Sequence, residues 1–220
     1  MRKLMGILCL LAILLCAVGL AEDCSLYVPR VEGLPEDFAL GMDVSSVISL
    51  ENSGVRYYDY EGNETDLFAV LADSGVNWIR VRVWNDPYDA DGNGYGGGNC
   101  DIDTAVAIAK RASIYGMRLL VDFHYSDFWA DPSKQQLPKA WKGLREAGLK
   151  EQLYSYTADC LTQLLQAGAD IGMVQLGNET NNAFCGFKNW KVICSLMNEA
   201  ARAVRDTVPG ALVAVHFTNP

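Results

Sequence analysis

The sequence predicts an α/β fold of the (β/α)8 TIM-barrel type, cut short after about five strands, and three observations predict it. Short apolar runs alternate with amphipathic helical stretches from Phe38 onward, which implies a parallel sheet. The chemically unusual residues all follow those runs, at Asp43, Trp84 to Asp101, His124 to Pro132 and Gly177 to Asn182. Barrels collect their functional residues in this way, at the C-terminal ends of successive strands. Pro220 also comes just after the fifth strand-like run, whereas a whole barrel takes about 250 residues, so residues 22–220 are expected to be the N-terminal part of one barrel domain. A doubly wound nucleotide fold would carry a glycine fingerprint after its first strand, and Gly41-Met42-Asp43 does not supply it.

Residues 1–21 are set aside as a secretory signal peptide, because Arg2 and Lys3 precede an apolar run from Leu4 to Leu20 that ends at Gly19-Leu20-Ala21. The run is also long enough for an uncleaved membrane anchor, which is the alternative. Lipid anchoring is disfavoured, since neither Cys16 nor Cys24 follows a small residue. A secreted protein, extracellular or periplasmic and free of the membrane once cleaved, is therefore expected.

The elements then follow in order. Phe38 to Val44 reads as a strand, and Glu64 to Ser74 as a helix ended by Gly75. Asn77 to Trp84 is a second strand, Ile102 to Tyr115 a helix stopped by Gly116, and Met117 to Phe123 a third strand. Leu149 to Ala167 is a long helix closed by Gly168, with the fourth strand at Ile171 to Leu176. Val192 to Val208 is a helix halted by Pro209-Gly210, and Leu212 to Phe217 is the fifth strand.

The formal net charge is -9, and cleavage of the leader removes two basic residues and no acidic one, giving -11. Such a surface repels nucleic acid and anionic membranes and suits a neutral ligand, or simply serves solubility. Five cysteines remain after cleavage, Cys24, Cys100, Cys160, Cys185 and Cys194. Export permits up to two disulfides, while free buried thiols fit equally well. With no CxxC pair and only His124 and His216, a structural metal cluster is not expected.

The strongest local signal is Gln175-Leu-Gly-Asn-Glu-Thr-Asn-Asn182, an apolar strand running into a carboxylate flanked by amides. Glu179 there has few charges to hold it ionised, so it is suited to keep a proton and deliver it to a leaving-group oxygen. Asn178 is placed to grip a sugar hydroxyl beside the reacting carbon. The ordinary alternative is a loop carboxylate capping the next helix.

In Ile79-Arg-Val-Arg-Val-Trp84, Arg80 and Arg82 share one face of a strand otherwise built for burial. Two buried cations are costly unless carboxylates meet them, so an anionic group is expected nearby, unless that face points outward. Asn85 follows at the rim. The third strand ends in Asp122-Phe-His-Tyr-Ser-Asp-Phe-Trp-Ala-Asp-Pro132. A site mixing Trp84, Trp129, His124 and Asp127 offers flat apolar faces for sugar rings and hydrogen-bonding groups for their rims. Each residue alone is more often a core aromatic or a satisfied structural histidine.

Asp89-Ala-Asp-Gly-Asn-Gly94 matches the first half of a calcium loop, but Cys100 stands where the bidentate glutamate belongs. A glycine-rich wall of the cleft is preferred over a calcium site. No GK[ST] follows to support phosphate binding.

GMDVSS, VRVWNDPYDADGNGYGGGN, LLVDFHYSDFWADP, KAW and QLGNETNN stand in this order between about Phe38 and Asn219. Together they resemble glycoside hydrolase family 53, the arabinogalactan endo-β-1,4-galactanases. The resemblance implies retaining hydrolysis of internal β-1,4-galactosyl bonds in type I galactan, a pectin side chain, with galactan as partner, no redox cofactor and a monomer. It implies Glu179 as acid/base, Asn178 as the sugar-hydroxyl ligand, and one of Arg80 or Arg82 as the holder of the nucleophile. Asp43, Trp84, Asn85, His124, Asp127 and Trp129 would be substrate-binding. The family's nucleophile is a second glutamate near the end of the seventh strand, and this chain is expected to lack it and to be inactive alone. Calcium in some members is bound by later loops. A mannanase or xylanase of the same clan, or a noncatalytic polysaccharide-binding protein, are the alternatives.

Overall fold

The computed structural model describes Pro29 and residues 31–218; the expected signal peptide and Cys24 lie outside the described residues. The chain divides into two units at Phe38, and the described part of the first contains only turns and irregular backbone. The second, from Ala39, holds every element named below.

Five parallel strands make its main sheet: β1 (Gly41–Asp43), β4 (Trp78–Val83), β5 (Arg118–Phe123), β6 (Ile171–Leu176) and β7 (Leu212–Ala214), hydrogen-bonded in that order. The helices are α1 (Val47–Asn52), α2 (Leu67–Asp73), α3 (Ile102–Ile114), α4 (Glu146–Gln166) and α5 (Trp190–Thr207), and at least one helix stands between each pair of neighbouring strands. Spatial order equal to chain order is the winding of a (β/α)8 barrel and excludes the doubly wound alternative, whose strand order reverses. β1 and β7 are the two edges.

Side-chain alternation sorts the sheet into two faces. Ile79, Val81, Val83, Leu119, Val121, Phe123, Val174 and Leu176 join one core cluster with Ala105, Ile108, Leu153, Leu161, Ile193 and Leu196 of the helices. On the opposite face the register aligns Asp43 with Arg80, Arg82 with Asp122, and Asp122 with Gln175. A one-residue slip between Leu119 and Leu120 brings β6 into this alignment.

Helix ends explain most boundaries. The Asp66, Asp101 and Asn189 carboxylate or amide oxygens accept from the N–H groups of Phe68, Thr104 and Lys191 and so cap α2, α3 and α5. Gly116 and Gly168, at φ +66 and +88, follow α3 and α4 in the left-handed conformation that ends a helix.

Some expected elements need correction. Glu64–Thr65 is β3, paired antiparallel with β2 (Tyr57–Tyr58), so α2 begins only at Leu67. The reason is Asp66, whose cap on Phe68 fixes the start of the helix. The first and fifth strands are shorter than expected, α1 is additional, and Lys139–Trp141 forms a 3-10 turn. Among the described residues no helix is long and apolar enough to cross a membrane, and the cysteines are free, Cys100, Cys160 and Cys185 buried and Cys194 exposed. Burial pushes the Cys100 and Cys160 thiols up to about 12, which keeps them protonated and unreactive.

Candidate active site

The polar face of the sheet converges on Arg80. One guanidinium nitrogen donates to Asp43 at 2.5 Å, and the other to Asp122 at 2.7 Å and to Asn178 Oδ1 at 3.2 Å. Asp122 is wholly buried; its second oxygen accepts from Gln175 Nε2 at 2.6 Å. A buried charge of this kind survives only because a cation and a further donor meet it. Burial works against the charge on Asp43, but the hydroxyl and N–H of Ser45, together with Arg80, outweigh it and hold that carboxyl below the usual range.

The Asn178 side chain is held at both its oxygen and its nitrogen. Its amide donates to Ala130 O at 2.8 Å, and its Oδ1 faces both Arg80 and His216 Nδ1, the latter at 2.8 Å. Oδ1 is an acceptor, so His216 donates from Nδ1. Ala130 is fixed in turn by His124, whose Nδ1 accepts its N–H at 3.1 Å. The proton of neutral His124 therefore sits on Nε2, 3.0 Å from Asp122 but bent too far off line for a full hydrogen bond.

Glu179 follows β6 on a left-handed residue, φ +51, directly after this anchored asparagine. A glutamate held there costs about 1–2 kcal/mol that neighbouring contacts must offset. Gln135 supplies them by donating to the carbonyls of Asn178 at 2.7 Å and Glu179 at 3.3 Å. Thr180 donates to His216 O, and Asn181 exchanges two hydrogen bonds with Thr218. Gly177, at φ +84, opens the turn; a Cβ there would stand 2.6 Å from Thr180 and 2.9 Å from Phe184. Among the described residues nothing hydrogen-bonds the Glu179 carboxylate, and α5 is capped by Asn189 instead, which removes the helix-cap alternative.

Arg82, two residues from Arg80, is 6% exposed. Its guanidinium lies 4.2 Å from the Trp129 ring centre and 5.1 Å from that of Trp84, and donates to Gly97 O at 2.7 Å and Ser46 Oγ at 3.2 Å. It forms no ion pair among the described residues, and burial lowers its pKa. The expectation that an anion meets both arginines thus holds for Arg80 and not for Arg82, where indole faces and neutral oxygens take that place.

Three of the expected ligand residues are engaged within the protein. Trp84 is fully buried, packed at 4.9 Å against Phe128 and 5.3 Å against Trp129. His124 is 2% exposed and holds Ala130. Asp127 has both oxygens occupied, one by Asn85 Nδ2 and Asp86 N, the other by Lys139 N, and ties three loop segments together. Trp129, 39% exposed, is the ring left open to a ligand, with Asp43, Asn85 and Glu179 also reachable. Asp89 has its oxygens taken by Asp91 N, Asn93 N and the Asn93 amide in a closed turn, which Asp59 and Asn63 repeat. Among the described residues no group of three or more His, Cys, Asp or Glu is arranged to hold a metal ion.

Asp122, Gln175, His216 and Gln135 escaped the sequence reading as site residues. The first two carried a usable signal, a polar residue on the same strand face as Arg80.

Residues 39–220 match the model of glycosyl hydrolase family 53. The chain is 56% identical over 200 residues to an endo-beta-1,4-galactanase of Bacillus subtilis, covering 91% of this chain and 46% of that protein. It is 37% identical to the arabinogalactan endo-beta-1,4-galactanase of Humicola insolens over 81% of this chain and 53% of that one. Among solved structures it is similar to a GH53 catalytic domain of Ignisphaera aggregans, with TM-score 0.84 and 44% identity over 87% of this chain and 54% of the other. A fungal beta-1,4-galactanase structure follows at TM-score 0.73 and 38% identity, covering 81% and 53%. The chain spans about half the length of the curated relatives it matches.

Proposed function

The chain belongs to glycosyl hydrolase family 53, and from that membership we propose that the full-length protein is a secreted, monomeric endo-β-1,4-galactanase that cleaves type I arabinogalactan with retention of configuration. Glu179 protonates the departing glycosidic oxygen and then, as a base, activates the water that releases the product. Asn178 binds the hydroxyl beside the reacting carbon. Arg80, paired with Asp43 and Asp122, fixes Asn178 and holds the nucleophile through a remaining guanidinium N–H. That nucleophile is a second glutamate from a later barrel strand, about 5 to 5.5 Å from Glu179 as retention requires. Two carboxyl groups suffice for this chemistry, so no cofactor takes part, and residues 22–220 alone do not turn over substrate.

The observation that carries this is the Asn178–Glu179 pair, an asparagine whose side chain is bonded at both oxygen and nitrogen beside a glutamate on a left-handed residue whose carboxylate has no hydrogen bond among the described residues. Initial rates of the full-length protein on galactan, mannan and xylan test it. Galactan is expected to be cleaved more than about 100-fold faster than the others. A preference for mannan or xylan would assign another endoglycanase specificity, and galactan binding without cleavage would assign a binding protein.

A further inference from the structure

Away from the Arg80 network, the loops after β4, β5 and β6 enclose two adjoining hollows. One, of about 530 Å³, is walled by Tyr95 and Phe128 and rimmed by Asp127, Gln136, Lys139 and Lys142. The other, of about 570 Å³, lies between Pro132, Ser133 and Gln136 on one side and Asn182, Gly186 and Lys188 on the other. Gln136 lines both, and Asn182 stands three residues beyond Glu179. The two hollows thus meet at Gln136, between the loop that carries Glu179 and the Tyr95 ring.

The chemistry of the far hollow is that of a site for a neutral ligand. Lys139 already pairs with the Asp86 carboxylate at 2.8 Å and donates to the carbonyls of Asp86 and Tyr88. Asp127 is committed to backbone N–H groups. What remains is the Tyr95 ring, 43% exposed, packed against Phe128 at 5.9 Å and with the Lys139 ammonium 5.4 Å from its centre, together with the Gln136 amide and the Lys142 ammonium, neither of which has an internal partner among the described residues. A half-open aromatic face beside uncommitted donors suits a pyranose, whose apolar face lies on the ring while its hydroxyls take the donors.

We propose that these hollows form a sugar-binding track on the leaving-group side of the site, with Tyr95 as its far stacking platform and Gln136 as its central hydrogen-bonding residue. Glu179 gives its proton to the departing sugar, so the departing part of the polymer lies on the side of the Glu179 loop, where the track begins. The occupant, a neutral β-linked galactosyl chain, rests on the galactanase function proposed above.

Tyr95→Ala, Tyr95→Phe and Gln136→Ala in the full-length protein test it, with kcat and KM measured on polymeric galactan and on galactotriose as the short reference substrate. Tyr95→Ala is expected to raise KM on the polymer about 3- to 10-fold with kcat unchanged and galactotriose kinetics unaltered. Tyr95→Phe, which keeps the ring, retains the KM of the unaltered protein, and Gln136→Ala gives a rise on the polymer alone. An unchanged polymer KM in Tyr95→Ala, or an equal rise on both substrates, overturns the track. Failure of the unaltered protein to cleave galactan would instead refute the proposed activity, and with it the proposed occupant, before any variant is compared.

Discussion

Arg80 and Arg82 share one strand face, yet the protein resolves their charges in opposite ways. Arg80 stands between two carboxylates, one of them wholly buried, and organises Asn178. Arg82 is the more enclosed of the two, but it stacks on indoles and bonds to neutral oxygens. The difference teaches that a polar face inside a sheet serves two purposes. The Arg80 side is a charge network whose members depend on one another, while the Arg82 side is a packed support that carries Trp129 and the glycine-rich loop.

Removing each arginine separates these roles. Arg80→Met leaves Asp122 buried without its cation and should cost about 3–5 kcal/mol in the full-length protein, measured by denaturant unfolding. Arg82→Met leaves no buried anion behind and loses two hydrogen bonds from a charged donor, for an expected cost of about 2 kcal/mol. Equal costs for the two would erase the contrast. Gly97→Ala tests the support more gently. Gly97 has φ +63, and a Cβ would stand 3.1 Å from Trp84 and 3.2 Å from Trp129 Nε1. A loss of about 1–2 kcal/mol is expected, with a higher KM as Trp129 shifts.

Asp43→Asn should have the smallest effect, and its signature is pH dependence. The folded-state pKa of Asp43 is lowered, so its charge contributes stability that is present above the unfolded pKa of about 3.9 and is lost as pH falls through the lower folded value. The variant should therefore be less stable than the parent near neutral pH, and the gap should shrink below about pH 4. A gap that widens in acid would reverse the sign and remove Asp43 from the network.

Much of this was legible in the sequence, for identifiable reasons. β6 matches residue for residue and α3 to within its last residue, because long periodic runs ended by glycine leave few alternatives. The β2–β3 hairpin and α1 were not legible, being too short to show a period. In the site, Glu179 and Asn178 stood out because they are adjacent. Asp122 and Gln175 lie on two strands and His216 two residues beyond a third, and only the packing of those strands side by side brings them together. The burial of Trp84 was not legible, because it depends on Gly97 and its neighbours, a loop with no periodicity to place it.

The proposed role of Glu179 as proton donor is tested most directly by Glu179→Gln in the full-length protein, with galactan cleavage and galactan affinity measured side by side. Cleavage is predicted to fall by about 100- to 10,000-fold while affinity stays within a few-fold of the parent. Cleavage at the parental rate would contradict it.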